Sequence, residues 1–322
     1  MDVMVIMGLL FTIVIKERLS MKENLVSRTA LMAAYLRSFH SIHDTPKIFD
    51  DFLAHQLLTA EEHKSFQDYY LFLLKKINNE LSSNGQVISL AKMMQAMTAS
   101  SLILSRSRYT EDTLEKAVQY GVKQYVILGA GMDTFAFRRA EMLKQIAVFE
   151  VDHPDTQTFK RQRIAELGWE CSPSLHFIPV DFTIDSLKEA LFQSSFDPTA
   201  LSFFSWLGVT YYLPQDVVFD TLRTIADITS AGSKVVFDYY DTDIFDHEKV
   251  HPLMKTAMEN LKRHGEPIKT AFNATTLTTE LANAGLHLCE QLDPNEIEER
   301  YFKKRSDQYH ALGHAHFGCI MT

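Results

Sequence analysis

Three cysteines are all that this 322-residue chain contains, and Cys171, Cys289 and Cys319 lie far apart, with no Cys-x-x-Cys spacing among them. An odd, scattered set excludes a disulfide framework and gives no zinc pattern, which fits a reducing, cytoplasmic setting. Glycine (12) and proline (9) are also few. No Pro-, Gly- or Ser-rich stretch divides the chain, so the length reads as one decorated domain. Positive charge is in deficit: 32 Lys and Arg against 41 Asp and Glu leave a formal net charge of −9. Nucleic-acid binding rests on Lys and Arg neutralising phosphates, so a small molecule or a protein end is the better partner. The single long apolar run, residues 3–15, follows Asp2, lacks a basic flank and a small-residue cleavage site, and is short for a membrane-spanning helix. Met21 opens an ordinary polar sequence, so residues 1–20 are read as an extension from a mis-assigned start, with no stable membrane association expected.

What the chain does have is a globular composition, 46% hydrophobic and 23% charged. From residue 27 to 81 apolar positions such as Leu31, Tyr35, Phe39, Phe66, Tyr70 and Leu73 recur near helical spacing. A second helical stretch over residues 90–120 carries Arg106 and Arg108 and ends at Gly121, a plausible cap. Short apolar strands then alternate with amphipathic segments, at 125–128, 148–151, 177–179, 200–206, 234–238, 287–289 and 316–321. That alternation predicts an α/β, Rossmann-like fold with a seven-stranded, mostly parallel sheet. The expected organisation is the extension 1–20, a helical N-terminal lid over 21–121 and a ligand-binding core over 122–322.

The chemistry concentrates at three strand ends. Residues 125–134 read Tyr-Val-Ile-Leu-Gly-Ala-Gly-Met-Asp-Thr, a buried strand breaking at Gly129 and Gly131 before a helix. Glycines there let the backbone adopt unusual torsions and approach a ligand closely. The next strand ends in Glu150-Val-Asp152-His153-Pro154, where an acidic side chain can accept from ribose hydroxyls. Glu150 and Asp152 share one side of an extended strand, so either can do it. Asp181-Phe182 follows the third strand, a carboxylate and a ring suited to an adenine amine and face. A nicotinamide fingerprint needs a third glycine and a helix start open to pyrophosphate. Here Asp133 stands at that helix start, which suits a ligand with an amine and a cationic sulfonium.

The blocks Ser27-Arg28-Thr29-Ala30, Leu128 to Thr134 ahead of Arg138-Arg139, Glu150 to Pro154 with Lys160, Val180-Asp181-Phe182 and Trp206 to Leu213 resemble the leucine carboxyl methyltransferase-like family. The likeness is closer to its bacterial branch of S-adenosylmethionine-dependent O-methyltransferases, often linked to polyketide metabolism, and runs from about Ser27 onward. It implies the class I methyltransferase fold and an S-adenosyl-L-methionine cofactor. It further implies cofactor contacts at Gly129, Gly131, Asp152, Asp181 and Phe182, with Arg106, or less closely Arg108, as the arginine ahead of the first strand. Many relatives carry Glu-Gly after the fourth strand where this chain has Leu207-Gly208, so a carboxylate role there does not carry over.

Transfer to a carboxylate needs no general base, whereas a hydroxyl acceptor does, with His153, Tyr211 and Tyr212 as candidates and structural roles expected for each. Phe237 to Tyr240 offer an apolar acceptor wall. His310, His314 and His316 lack a matching acidic ligand in sequence, so no metal is expected. The reading is an O-methyltransferase acting on a carboxylate or hydroxyl of a small molecule or protein. A non-catalytic adenosyl-binding protein is the alternative, and a nicotinamide oxidoreductase stands behind both.

Overall fold

A computed structural model describes residues 27–82, 86–246, 248–250, 252–263 and 266–322, so the extension 1–20 lies outside the described residues. All seven expected strands form: β1 (Gln124–Leu128), β2 (Ala147–Asp152), β3 (Leu175–Pro179), β4 (Ser202–Trp206), β5 (Lys234–Tyr240), β6 (His287–Leu292) and β7 (Ala315–Met321). They make one sheet in the order β3-β2-β1-β4-β5-β7-β6. β1 to β5 run parallel, and β7 inserts antiparallel between β5 and β6. β1 and β4 are buried along their whole length, because helices cover both faces of a parallel sheet and an apolar run is then needed in place of alternation.

The alternation of side chains divides the core in two. Tyr125, Ile127, Phe203 and Val236 pack with Leu104, Tyr109 and Leu114 of the helix Thr98–Gln119. Val126, Leu128, Phe204 and Val235 pack on the other face with Val218, Leu222 and Ile225 of the helix Gln215–Ile228. The chain leaves β1 toward β2 and returns to β4 on β1's other side. That reversal opens a crevice at the carboxyl ends of β1 and β4, where ligands of doubly wound sheets bind.

The N-terminal helices are interrupted where the sequence reads as continuous. Residues 27–81 form Arg28–His43, Ala54–Leu57 and Ala60–Ser82, with residues 44–53 non-helical. Pro46 supplies the reason, since the residue before a proline is pushed out of the helical region. Likewise Met97 is extended (φ −72°, ψ 121°) and splits residues 90–120 into Leu90–Ala96 and Thr98–Gln119. Leu31, Tyr35, Tyr70 and Leu73 of these helices form a third cluster that takes in Met132 of the glycine turn and Ile164.

One carboxylate fastens this layer to the turn. Asp51, 1% exposed, accepts from Arg37 Nε at 2.8 Å and Thr134 Oγ1 at 2.5 Å, with Arg138 Nε 3.6 Å away. Arg37 Nη2 also donates to the Met132 carbonyl at 2.6 Å. Removing one partner of a buried charge pair strands the other, at a cost of about 3–5 kcal/mol. Asp51→Ala is therefore expected to lower the melting temperature sharply and Asp51→Asn less; an Asp51→Ala melting curve overlying that of the parent would show that the link carries no stability.

Candidate functional site

The turn after β1 is built on backbone that only glycine adopts freely, with φ of +72° at Gly129 and +49° at Gly131. A Cβ at Gly129 would stand 2.4 Å from Val209 Cγ2, and one at Gly131 would stand 3.1 Å from Ala30 Cβ. The close approaches on the Cβ side are thus made by the chain itself, from the loop after β4 and from the first helix. Asp133 Oδ1 accepts the Phe135 N–H at 2.6 Å, so a carboxylate caps the helix Phe135–Arg138 where a pyrophosphate would need that amide.

The two acids of β2 have separate fates. Glu150 is fully buried, with Oε2 on Lys160 Nζ and Oε1 without a hydrogen-bond partner. Burial pushes its carboxyl up to about 7 against the pull of Lys160. It lies inside the core, so of the two expected candidates only Asp152 reaches the strand end. Asp152 accepts the Gly131 N–H and, at 2.6 Å, the His153 N–H. Burial raises its carboxyl although both amides pull it down.

Asp181 is more open and takes the Thr183 N–H at 2.9 Å and hydroxyl at 2.7 Å, bonds that hold its carboxyl below the ordinary range. The Phe182 ring lies 6.1 Å from Trp206, centroid to centroid. His153 caps the helix Pro154–Glu166 through the Asp155 N–H, with Nε2 3.7 Å from Asp181 Oδ2.

The two arginines are separated by helix phase. Arg108 sits half-exposed on Asp112 one turn on, at 2.8 Å. Arg106 turns inward, with Nη1 2.7 Å from Asp238 Oδ2 and 3.1 Å from the Tyr211 hydroxyl. Burial opposes its charge, but Asp238 and Tyr211 outweigh burial and raise its pKa. The guanidinium rests on Gly208, φ +73°, where a Cβ would stand 2.6 Å from Nη2. Leu207 packs partly buried against the core face of Tyr125, Phe203 and Val236. Burial pushes Tyr211 up to about 12 and raises Tyr212 as well.

The expected site residues therefore line one edge in strand order: Asp181 after β3, Asp152 on β2, the glycines after β1, and Arg106 over the turn after β4. Neighbouring strands stand about 4.8 Å apart, so the row spans about 14 Å. Asp238 was missed by sequence reading, because its partner lies 132 residues away.

Phe237 to Tyr240 do not form one wall: Phe237 and Tyr239 belong to one core face and Tyr240 to the other. The histidines do have an acidic partner, Asp241 at the end of β5, 3.2 Å from His314 and 3.3 Å from His316. Burial opposes this carboxyl's ionisation, and the two histidines outweigh it, holding it well below the ordinary range. Among the described residues no group of three or more such side chains is arranged to hold a metal, and no helix is long and apolar enough to cross a membrane.

A profile of the leucine carboxyl methyltransferase family matches residues 30–226. A Bacillus subtilis (strain 168) protein named "Putative S-adenosyl-L-methionine-dependent methyltransferase YktD" is 34% identical over 301 residues, 92% of this chain and 98% of that one. A Mycolicibacterium smegmatis relative, described as a putative S-adenosyl-L-methionine-dependent methyltransferase, is 29% identical, covering 74% of this chain and 75% of its own. In fold, the crystal structure titled as a putative methyltransferase from Thermobifida fusca YX aligns with a TM-score of 0.53 at 14% identity, over 90% of this chain and 94% of that one. The fold is that of a class I methyltransferase. The chain belongs to the leucine carboxyl methyltransferase family and is an S-adenosylmethionine-dependent enzyme.

The Glu150–Lys160 pair beneath Asp152 generates a test with a defined sign. Lys160→Met leaves Glu150 buried without a cation, raising its folded-state carboxyl further above the unfolded value of about 4.3. The folded state then holds a proton the unfolded chain releases, so stability falls as pH rises through that interval. Urea melts should show a deficit that grows by about 1–2 kcal/mol between pH 5 and pH 8. A deficit constant across this range would mean that Lys160 is not the counter-ion.

Proposed function

We propose that this methyltransferase acts on oxygen, with a carboxylate of a small molecule or a protein as its acceptor. Asp152 accepts from the ribose hydroxyls, Asp181 from the adenine amine with Phe182 against the ring, and Arg106 pairs with the ligand's amino-acid carboxylate. Gly129 and Gly131 shape the turn between them. The observation that carries these roles is the row along the sheet edge, where Arg106 at the far end keeps Nε and Nη2 free of any acceptor among the described residues. The described helices within residues 21–121 serve as a lid on the core 122–322, cofactor binding does not need residues 1–20, and the enzyme works in the cytoplasm.

Bound S-adenosylmethionine supplies a methyl group activated on a sulfonium. The protein's share is to hold the acceptor oxygen in line with that carbon and to keep water out. A carboxylate oxygen is already ionised at neutral pH. Tyr211, with its pKa pushed up to about 12 by burial, is a poor base there, and His153 is committed to capping a helix at the β2 end. Both facts favour the carboxylate. The hydroxyl reading draws on one observation, the unpartnered buried Nδ1 of His316 beside Asp241.

Calorimetry is expected to give binding of S-adenosylmethionine and S-adenosylhomocysteine and none of NAD. Asp152→Ala and Asp181→Ala each remove a partner of a ligand polar group, a loss of about 1–3 kcal/mol or about ten- to a hundredfold in affinity. Wild-type affinity in both, with folding intact, would mean that the site has been misplaced. Leu207→Glu is expected to weaken binding and lower the melting temperature, because Asp238 already serves Arg106 and a second carboxylate enters unpaired. For the acceptor, protein and cell extract are incubated with methyl-labelled cofactor and the product is treated with mild base. A carboxyl ester releases labelled methanol; label that resists base would point to an ether and sink the carboxylate assignment.

A further inference from the structure

Asp238 stands near the end of β5, 1% exposed, and its carboxylate makes two direct ties there. Its Oδ2 meets Arg106 Nη1 at 2.7 Å, and its Oδ1 accepts the Gly208 N–H at 2.6 Å. Through Arg106 it also reaches Tyr211, whose hydroxyl accepts the other Nη1 hydrogen at 3.1 Å. Both hydrogens of Nη1 are thereby spent inside the protein. The Nε and Nη2 hydrogens, on the other edge of the guanidinium, meet no acceptor among the described residues, and the side chain keeps 12% of its surface open.

The floor under the guanidinium is fixed by the same carboxylate. Gly208 has no side chain to lift the group off, and its amide is held by Asp238. An arginine has several rotatable bonds, and ordering them on binding costs affinity unless the fork is set beforehand. Here it is set by Asp238, which holds both Arg106 and the Gly208 amide.

We propose that Asp238 is a positioning residue that selects for ligands carrying an amino-acid carboxylate, by presenting the free edge of Arg106 to that carboxylate. The inference rests on the role assigned above to Arg106. A merely structural ion pair would join the helix Thr98–Gln119 to β5 and would affect every ligand alike. A positioning role affects only ligands that reach Arg106.

The probes are S-adenosylhomocysteine, which has the amino-acid tail, and 5′-methylthioadenosine, which lacks it; both are titrated calorimetrically into the full chain. In Asp238→Asn the amide oxygen can still take the Gly208 N–H, which turns an NH2 group toward Arg106 and displaces the guanidinium. Affinity for S-adenosylhomocysteine is expected to fall about tenfold or more, with 5′-methylthioadenosine unchanged. Arg106→Met should do the same, and the double variant no more than Arg106→Met alone. Gly208→Ala, which lifts the guanidinium without removing a charge, should give the same selective loss and serves if Asp238→Asn does not fold. Equal losses for both probes, or none, in Asp238→Asn and Gly208→Ala overturn the proposal. If Arg106→Met leaves S-adenosylhomocysteine binding intact, the assignment of Arg106 fails; if it weakens that binding while the other two variants do not, only the positioning role fails.

Discussion

Burying a carboxylate is costly unless a cation or amide hydrogens replace the lost water, and this constraint governs the working edge of the sheet. Asp51, Glu150 and Asp238 are each at most 1% exposed, and each holds a basic side chain: Arg37, Lys160 and Arg106. The pairs fall at different places with one effect. Asp51 fastens the N-terminal helices to the glycine turn, Glu150 lies under the acid that ends β2, and Asp238 ties the helix Thr98–Gln119 to the turn after β4. Each needs its partner held closely, so the turns between them are fixed together.

The glycines gain a second meaning from this arrangement. Gly129 and Gly208 leave room for Val209 and Arg106, and Gly131 for Ala30. Ser27, which opens the helix bearing Ala30, also donates its backbone N–H to Thr156 at 3.4 Å. The first helix therefore touches the β1 turn and the helix after β2 at once. A side chain at Gly131 would press on that helix, so the requirement for glycine is set as much by the covering layer as by any ligand.

The sheet was legible in the sequence because its strands are short apolar runs between turn signals, and all seven formed where the pattern placed them. The helical breaks were less legible: Pro46 is a visible signal for the first, whereas nothing local marks Met97. Choosing Arg106 over Arg108 was within reach of helical spacing. Arg106 lies four residues after Leu102 and three before Tyr109, both buried, while Arg108 is four residues before Asp112. Asp238 was out of reach. It reads as one polar residue in an aromatic strand, and its worth depends on a strand order that brings β5 beside β4. The Asp241 partner of His314 and His316 was hidden likewise, since β7 returns antiparallel along β5 and sets Tyr239 opposite His316.

The choice of ligand class follows from where the chain spends its own carboxylates. A dinucleotide site leaves the helix after β1 with open amides and a positive end, which is what a pyrophosphate binds. Here Asp133 caps that helix on the Phe135 amide, and Asp152 takes the Gly131 amide. Two N–H groups that a phosphate would seek are already answered by negative charge. The same two acids would repel a phosphate and favour a cation. The positive group stands apart, at the β4 and β5 end, where Arg106 lies on Asp238. Negative at the glycine turn and positive one strand-end away suits a ligand with a sulfonium at its centre and an amino-acid carboxylate at its tip. It is opposite in sign to what a dinucleotide requires at the same turn.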